Sequence, residues 1–436
     1  MKNQNPAGIL LLYHHYRRKN APTIMEHVNS FSRYSDNKIW SINTGIGFPK
    51  KLNEIKFSAI ILHYSLFGMH PFNISDKFIQ YLKSNNTANK IVFFQDEYTA
   101  CREKFDFINE AEIDVVYSLL DPESHNQVYL NHCSCKAVKH TLTGYVDDDL
   151  ISLADRLRKQ PHERSIDFGY RARPLPYFLG KGGREKTDIA DNFIKHANTD
   201  DYSVDIKTAE KDRIYGPQWY HFISNCKAMI GVEAGVSVFD IEGKVKPACE
   251  KYLLDKPDAI FEEIYDSILL PWEDNIYYRT ISPRIFECAA FRTCMILFEG
   301  RYNDMLKPMH HYIPLKKDFS NFNDVLNIFN NSEERDRLTE NAYKDLIESG
   351  KYSYKNFIGQ FDGHLETLGV QNVTSNNEIQ SITEALKKGM WKNELVFYTN
   401  PYTKPIKVIL KAILKPRKTI RRIRHWHASR NSAPTT

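Results

Sequence analysis

Short apolar runs of strand length recur along this chain with helical stretches between them, and that alternation constrains the fold more than any other feature. Gly8 to Tyr13, Ser58 to His63, Lys90 to Phe94 and Ile113 to Leu119 read as buried strands, with helices over Thr23 to Phe31 and Ser75 to Leu82. Strands that alternate with helices imply a parallel sheet. The polar stretch from Asp121 to Asp149 breaks the rhythm and reads as a connection between lobes. A second alternating set begins at Ile166 and continues through a helix at Glu185 to Ala197, a strand at Tyr202 to Ile206, a helix at Trp219 to Cys226 and a strand at Ala228 to Val232. After a charged, helix-rich interval come a helix from Ser282, strands at Cys294 to Phe298 and Tyr312 to Leu315, and helices at Asn323 to Phe329 and Glu333 to Leu346. The expectation is an α/β fold of two Rossmann-like, doubly wound lobes, residues 1–150 and 151–370. A linker, a helix over Ile379 to Met390 and a basic tail occupy 371–436. Two such lobes place ligands in the cleft at the carboxyl ends of the strands.

With 42% hydrophobic and 26% charged residues, the 436-residue chain has a folded, globular balance, which excludes a disordered or collagen-like chain. The longest apolar runs fall short of the roughly 18 residues of a spanning helix. The apolar stretch after Met1 is followed by His14, His15, Tyr16, Arg17, Arg18 and Lys19 instead of a small-residue cleavage site, so a cytoplasmic location is expected. Seven irregularly spaced cysteines give no disulfide framework. Cys133 and Cys135 stand beside His132, but a zinc site takes four ligands and no second cluster follows.

The net charge of +5 is unevenly distributed: beyond Glu394 there are ten Lys and Arg residues and no acid, which leaves −5 on residues 1–394. In the tail, Ile406, Ile409, Leu410, Ile413 and Leu414 recur at helical spacing with Lys404, Lys407, Lys411 and Lys415 mostly opposite, and Pro416 ends the pattern. Residues 403–430 therefore have the composition of an interfacial anchor on an anionic membrane surface, which would make the protein peripheral on the inner face of the cell membrane; a helix packed on the body or a disordered tail is the competing reading. Nucleic acid is the rival partner for such a tail; its aliphatic residues at helical spacing and the acidic body weigh against it.

The sharpest local signal is Ser282-Pro283-Arg284-Ile285-Phe286-Glu287-Cys288-Ala289-Ala290. Serine caps the helix, proline takes its first position, and the small residues allow close packing on a sheet. The free N–H groups of such a helix start can hold an anion and Arg284 can add charge. Glu287, about one turn deeper, can accept two hydrogen bonds from a ribose. The competing reading makes Glu287 a solvated helix residue with Arg284 as its surface partner.

From Ser282 to Leu315 the chain resembles the donor-binding half of GT-B glycosyltransferases, especially the CgeB-like and family 4-related (group 1) enzymes of bacterial surface polysaccharide synthesis. The resemblance implies a nucleotide-sugar-dependent glycosyltransferase acting on a hydroxyl of a lipid-linked or polysaccharide acceptor. It also implies that Glu287, in Phe286-Glu287-Cys288-Ala289-Ala290, binds the ribose. Retaining family 4 enzymes carry another glutamate eight positions earlier; here that position is Arg279, and Glu233 in Gly231-Val232-Glu233-Ala234-Gly235-Val236-Ser237 is the candidate for its place across an insertion, an ordinary loop carboxylate being the competing reading and the retaining or inverting outcome staying open.

Gly169, Arg171 and Arg173, after the strand from Ile166, with Lys186 beyond, occupy the position where the resembling enzymes face the diphosphate; Gly235, Ser282 and Arg284 complete the donor-binding set. Fixed cations there stabilise a departing diphosphate without a metal, so no cofactor or metal is expected. Asp147-Asp148-Asp149 has the spacing of a metal-binding acidic motif but lies in the connection. For the first lobe the candidate catalytic groups are His14, Asp96 and Glu97, all at predicted strand ends, with Glu233 from the second. A catalytically inactive scaffold of the same fold is the remaining alternative.

Overall fold

The computed structural model describes residues 8–15, 22–68, 70–197, 200–373, 375–388, 390 and 394. The first lobe is built on six parallel strands: β1 (Ile9–Tyr13), β2 (Ile39–Asn43), β3 (Ala59–Leu62), β4 (Asn89–Phe93), β5 (Val115–Ser118) and β6 (Ala137–His140), in the order β2-β1-β3-β4-β5-β6. Helices α1 (Pro22–Tyr34), α2 (Asp76–Ser84) and α3 (Cys101–Glu110) connect them. The second lobe has five parallel strands: β7 (Ile166–Arg171), β8 (Val204–Lys207) and β9 (Cys226–Gly231) with β12 (Cys294–Phe298) and β13 (Ile313–Leu315), in the order β13-β12-β9-β7-β8. The expected pair of Rossmann-like lobes is thus what the chain forms.

Both sheets are covered on both faces, which is why their strands are continuously apolar. In β1, Leu10 and Leu12 face one core while Ile9 and Leu11 face another. In β12, Met295 and Leu297 pack on one side and Cys294, Ile296 and Phe298 on the other. The strand at Ala137–His140 falls inside the stretch read from sequence as a connection: it is a half-exposed edge strand without a buried face, so its residues carry no apolar pattern. The lobes are joined by the segment before α4 (Asp148–Leu157), which packs against the second lobe.

Helix α5 (Gly180–His196) follows β7, and α6 (Pro217–Asn225) leads into β9. The charged interval after β9 is an antiparallel hairpin, β10 (Ala234–Val238) with β11 (Glu273–Thr280), that carries α7 (Val245–Asp255) and α8 (Phe261–Ile264). Ala234 pairs with Thr280, so the excursion closes on itself and returns the chain beside its point of departure. Next comes α9 (Pro283–Ala290), and beyond β13 lie α10 (Phe322–Asn330), α11 (Ser332–Tyr343), α12 (Tyr354–Thr367) and α13 (Asn376–Lys387).

Helix α12, counted with the second lobe in the sequence reading, lies against the first. Phe357 and Phe361 of α12 meet Phe31 and Phe93 there. Helix α13 also packs on the first lobe, where the Trp40 indole donates to Thr383 at 3.0 Å. Among the described residues, no helix is long and apolar enough to cross a membrane. The basic segment 403–430 lies outside the described residues. All seven cysteines are free thiols.

Candidate functional site

The carboxyl ends of the two sheets face a cleft of about 470 Å³. Of the residues singled out in the sequence, Asp96, Arg171, Arg173, Lys186, Glu233, Ser282, Arg284 and Glu287 line it, whereas His14, Glu97, Gly169 and Gly235 do not.

The start of α9 is built as its sequence predicts. Ser282 has extended backbone and its side chain accepts from the Arg284 N–H, with Pro283 in the first turn. Ile281, just before the cap, is held from two sides. Its carbonyl accepts from Thr143 Oγ1 at 2.6 Å and its N–H donates to Asn303 Oδ1 at 2.6 Å. Deeper in the helix, the Trp219 indole N–H donates to Glu287 Oε2 at 2.8 Å. Burial raises the Glu287 pKa; the Trp219 bond and then the Arg284 charge oppose that shift.

Three cations meet here with no salt bridge to any described carboxylate: Arg173, Lys186 and Arg284. The Arg284 guanidinium lies 5.2 Å from the Trp219 ring and 5.4 Å from that of Tyr170. Burial lowers Lys186 to about 8; Asp96 across the cleft opposes the shift, and Arg284, Arg173 and Arg279 reinforce it. Crowded like charges beside a helix N-terminus make an electrostatic site for an anion.

Arg171 has a different role from the one expected. Its Nη1 donates to the carbonyls of Tyr170 (2.8 Å) and Asp205 (2.7 Å), and its Nη2 to Asp205 Oδ2 at 2.8 Å. The Phe222 ring lies 4.3 Å away. The guanidinium is committed to tying β7 to β8, which leaves Arg173 as the exposed arginine of the pair. Gly169 lies within β7 and not in a loop after it: a Cβ there would meet Cys226 Sγ of β9 at 2.3 Å and Phe222 of α6 at 3.1 Å, so this glycine serves the close packing of β7 on its neighbours. Gly235 has φ +92 and a Cβ there would meet the Tyr278 carbonyl oxygen at 2.0 Å, so it shapes the hairpin instead of the cleft.

In the first lobe, Asp96 reaches the cleft from a left-handed backbone position with φ 50. The buried Lys104 ammonium fixes its loop, donating to the carbonyls of Asp96 (2.9 Å) and Thr99 (2.7 Å). The neighbouring Glu97 points the other way, into the core. Its carboxylate accepts from Ser118 Oγ (2.6 Å), Leu119 N (2.7 Å) and Tyr129 OH (3.0 Å). Burial pushes it up to about 7 against those bonds. His14 also stays outside the cleft. Its backbone N–H donates to Ser65 Oγ at 2.9 Å, and burial followed by the neighbouring His15 lowers its pKa.

Glu233 stands at the cleft despite the long insertion, because the closed hairpin brings Ala234 back beside Thr280. Glu233 Oε1 accepts from the Tyr302 N–H at 2.7 Å, and burial raises its pKa. Arg279 pairs with Glu185 at 2.9 Å. Asp147, at the expected acidic triplet, caps α4 by accepting from Asp149 N at 2.7 Å, and Arg33 pairs with Asp147 and Asp149. Sequence reasoning missed Trp219 and Tyr170, and the loop from Arg213 to Gly216 that also lines the cleft. The available signal was Gly216-Pro217-Gln218-Trp219, a helix start whose first turn carries an aromatic N–H donor.

No family model and no curated protein matches this chain. Among solved structures, HepE of Anabaena in complex with UDP is similar at 9% identity over 83% of this chain and 100% of that one, with a TM-score of 0.47. Sucrose-phosphate synthase of Thermosynechococcus elongatus is similar at 11% identity over 83% and 99%, with a TM-score of 0.45. A glycosyltransferase of Rickettsia africae is similar at 11% identity over 84% and 99%, with a TM-score of 0.42.

Proposed function

We propose that the chain is a glycosyltransferase that moves a sugar from a nucleoside diphosphate to a hydroxyl. The observation that carries this reading is the convergence at one interlobe cleft of three cations without carboxylate partners among the described residues, a capped helix start and a carboxylate one turn into that helix. The diphosphate meets Arg173, Lys186, Arg284 and the positive end of the α9 dipole, and the ribose hydroxyls donate to Glu287.

In the transfer step the bond between the sugar C1 and the diphosphate oxygen breaks as the acceptor oxygen bonds to C1. The departing diphosphate takes up negative charge where the fixed cations stand, which stabilises the transition state. Asp96 is the first-lobe carboxylate that reaches the cleft, and in this reading it takes the acceptor proton. Glu233 faces the sugar from the second lobe. Because resident cations neutralise the leaving group, transfer runs without an added divalent ion. Loss of turnover in EDTA, restored by manganese, contradicts that mechanism.

The resemblance of Ser282–Leu315 to enzymes of surface polysaccharide synthesis and the basic amphipathic pattern of 403–430 support a lipid-linked or polysaccharide acceptor met at an anionic membrane surface. Isothermal titration with UDP, GDP, ADP and CMP tests the donor assignment. At least one should bind, and Glu287→Ala should weaken it by at least about tenfold.

A further inference from the structure

We infer that Trp219 is a positioning residue for Glu287, an inference that rests on the nucleotide reading of the cleft. Trp219 belongs to α6 and Glu287 to α9, so the 2.8 Å bond from the indole N–H to Glu287 Oε2 ties a carboxylate on one helix to a ring anchored on another. The ring is set by its own helix start: Gly216 precedes it with φ +62, the Trp219 backbone N–H donates to the Gly216 carbonyl at 3.0 Å, and the indole lies 5.8 Å from the Phe222 ring.

An ionised carboxylate offers about four lone-pair sites, and the indole occupies one of them. Both oxygens remain able to accept from a vicinal diol, so the bond orients the carboxylate without competing for it. The opposite face of the problem is charge. Glu287 is surrounded by Arg284 on its own helix, Tyr220 on α6 and Glu26 on α1 of the first lobe, with Cys288 beside it. Burial favours the neutral carboxyl, and the indole N–H is the largest influence restoring the charged form. A protonated carboxyl presents a donor to one of the two ribose hydroxyls and loses an acceptor. Without the indole bond, protonation occurs at higher pH, so nucleotide affinity should begin to fall at higher pH on acidification.

The test uses the full chain and whichever of UDP, GDP or ADP binds the wild type most tightly, titrated calorimetrically between about pH 5 and pH 8. Trp219→Phe keeps an aromatic ring and removes the donor. The expected result is affinity weakened about tenfold, with its acid limb moved to higher pH. In a Glu287→Ala background the same substitution should cost no more than about twofold, since the partner is already gone. Equal losses in both backgrounds, or an unmoved acid limb, would mean that the ring only fills space and would overturn the inference. Should Trp219→Phe fail to fold, β-(3-benzothienyl)alanine at position 219 retains the shape and lacks the N–H, and the same outcomes apply. Unchanged affinity in Glu287→Ala overturns the nucleotide reading itself, whereas a weakened Glu287→Ala beside an unaffected Trp219→Phe overturns this inference alone.

Discussion

Glu97 in the first lobe and Glu287 in the second are both carboxyls whose pKa burial has raised, yet their surroundings differ. Three donors converge on Glu97, from Ser118, Leu119 and Tyr129, and it faces the core. Among the described residues Glu287 receives one bond, from Trp219, and it borders the cleft. If Glu287 is the ribose ligand of the proposed function, burial and a shifted pKa do not separate a structural acid from a ligand-binding one. The remaining acceptor capacity does: a carboxylate can bind a ligand only with lone pairs that the protein has not already used.

The largest expected effect tests the structural half of that contrast. Glu97→Ala strands three donors in the core and should cost about 3 kcal/mol or more of stability, read by denaturant unfolding. Nucleotide affinity of the folded fraction should not change. A stable Glu97→Ala protein that no longer binds nucleotide would reverse the two roles.

Next in size is the contrast between Arg171 and Arg173. Arg171→Ala removes a buried partner from Asp205 and should destabilise by about 2 kcal/mol. Arg173→Ala should stay within about 0.5 kcal/mol in stability. Its effect should fall instead on the ligand, weakening a nucleoside diphosphate by roughly fivefold more than the corresponding monophosphate. Equal discrimination in wild type and variant removes Arg173 from the diphosphate site.

A smaller effect follows from pH. Glu97 shifts from 4.5 to about 7 on folding, so the folded state holds a proton that the unfolded state has released between those values. The raised value means that stability is greatest below about 4.5, as far as this group contributes, and is lost as pH rises towards 7. Glu26, shifted to about 7 by burial and then by Glu287, Asp147 and Asp149, acts in the same direction. The dependence of unfolding free energy on pH between about 5 and 7 should therefore flatten in Glu97→Gln. An unaltered slope would mean that Glu97 is ionised throughout.

The gap between what was legible and what was not has a physical pattern. Both lobes could be read because parallel strands buried on two faces are continuously apolar; β6 could not, since an edge strand lacks that signature. The Ser282–Ala290 helix start was legible because capping is local chemistry. Arg171 and Arg173 look equivalent in sequence, and only Asp205, on the neighbouring strand, commits one of them. Glu97 beside Asp96 shows the same limit, since the direction a side chain takes from a loop depends on donors such as Tyr129 far along the chain. The pairing of Trp219 with Glu287 joins two helices and has no local signature.

The smallest expected effect on the cleft comes from the tail. Cutting the chain after Asn400 should leave nucleotide affinity within about twofold, because the candidate cleft is built from residues well before it. The same cut should abolish flotation with acidic vesicles. In the full chain that binding should weaken in high salt without vanishing, since Ile406, Ile409, Leu410, Ile413 and Leu414 add an apolar contribution that salt does not screen. Flotation of the truncated chain equal to that of the full chain removes the tail as anchor.

The central claim, that Glu287 keeps acceptor capacity for both ribose hydroxyls while Glu97, facing the core with three donors already bound, does not, is met most directly by isothermal titration of a nucleoside diphosphate into wild type and Glu287→Ala, with unfolding measured on both. The account predicts at least about tenfold weaker binding in Glu287→Ala and a stability change below about 1 kcal/mol. Unchanged affinity in a folded Glu287→Ala protein, or no nucleotide binding to the wild type at all, contradicts it.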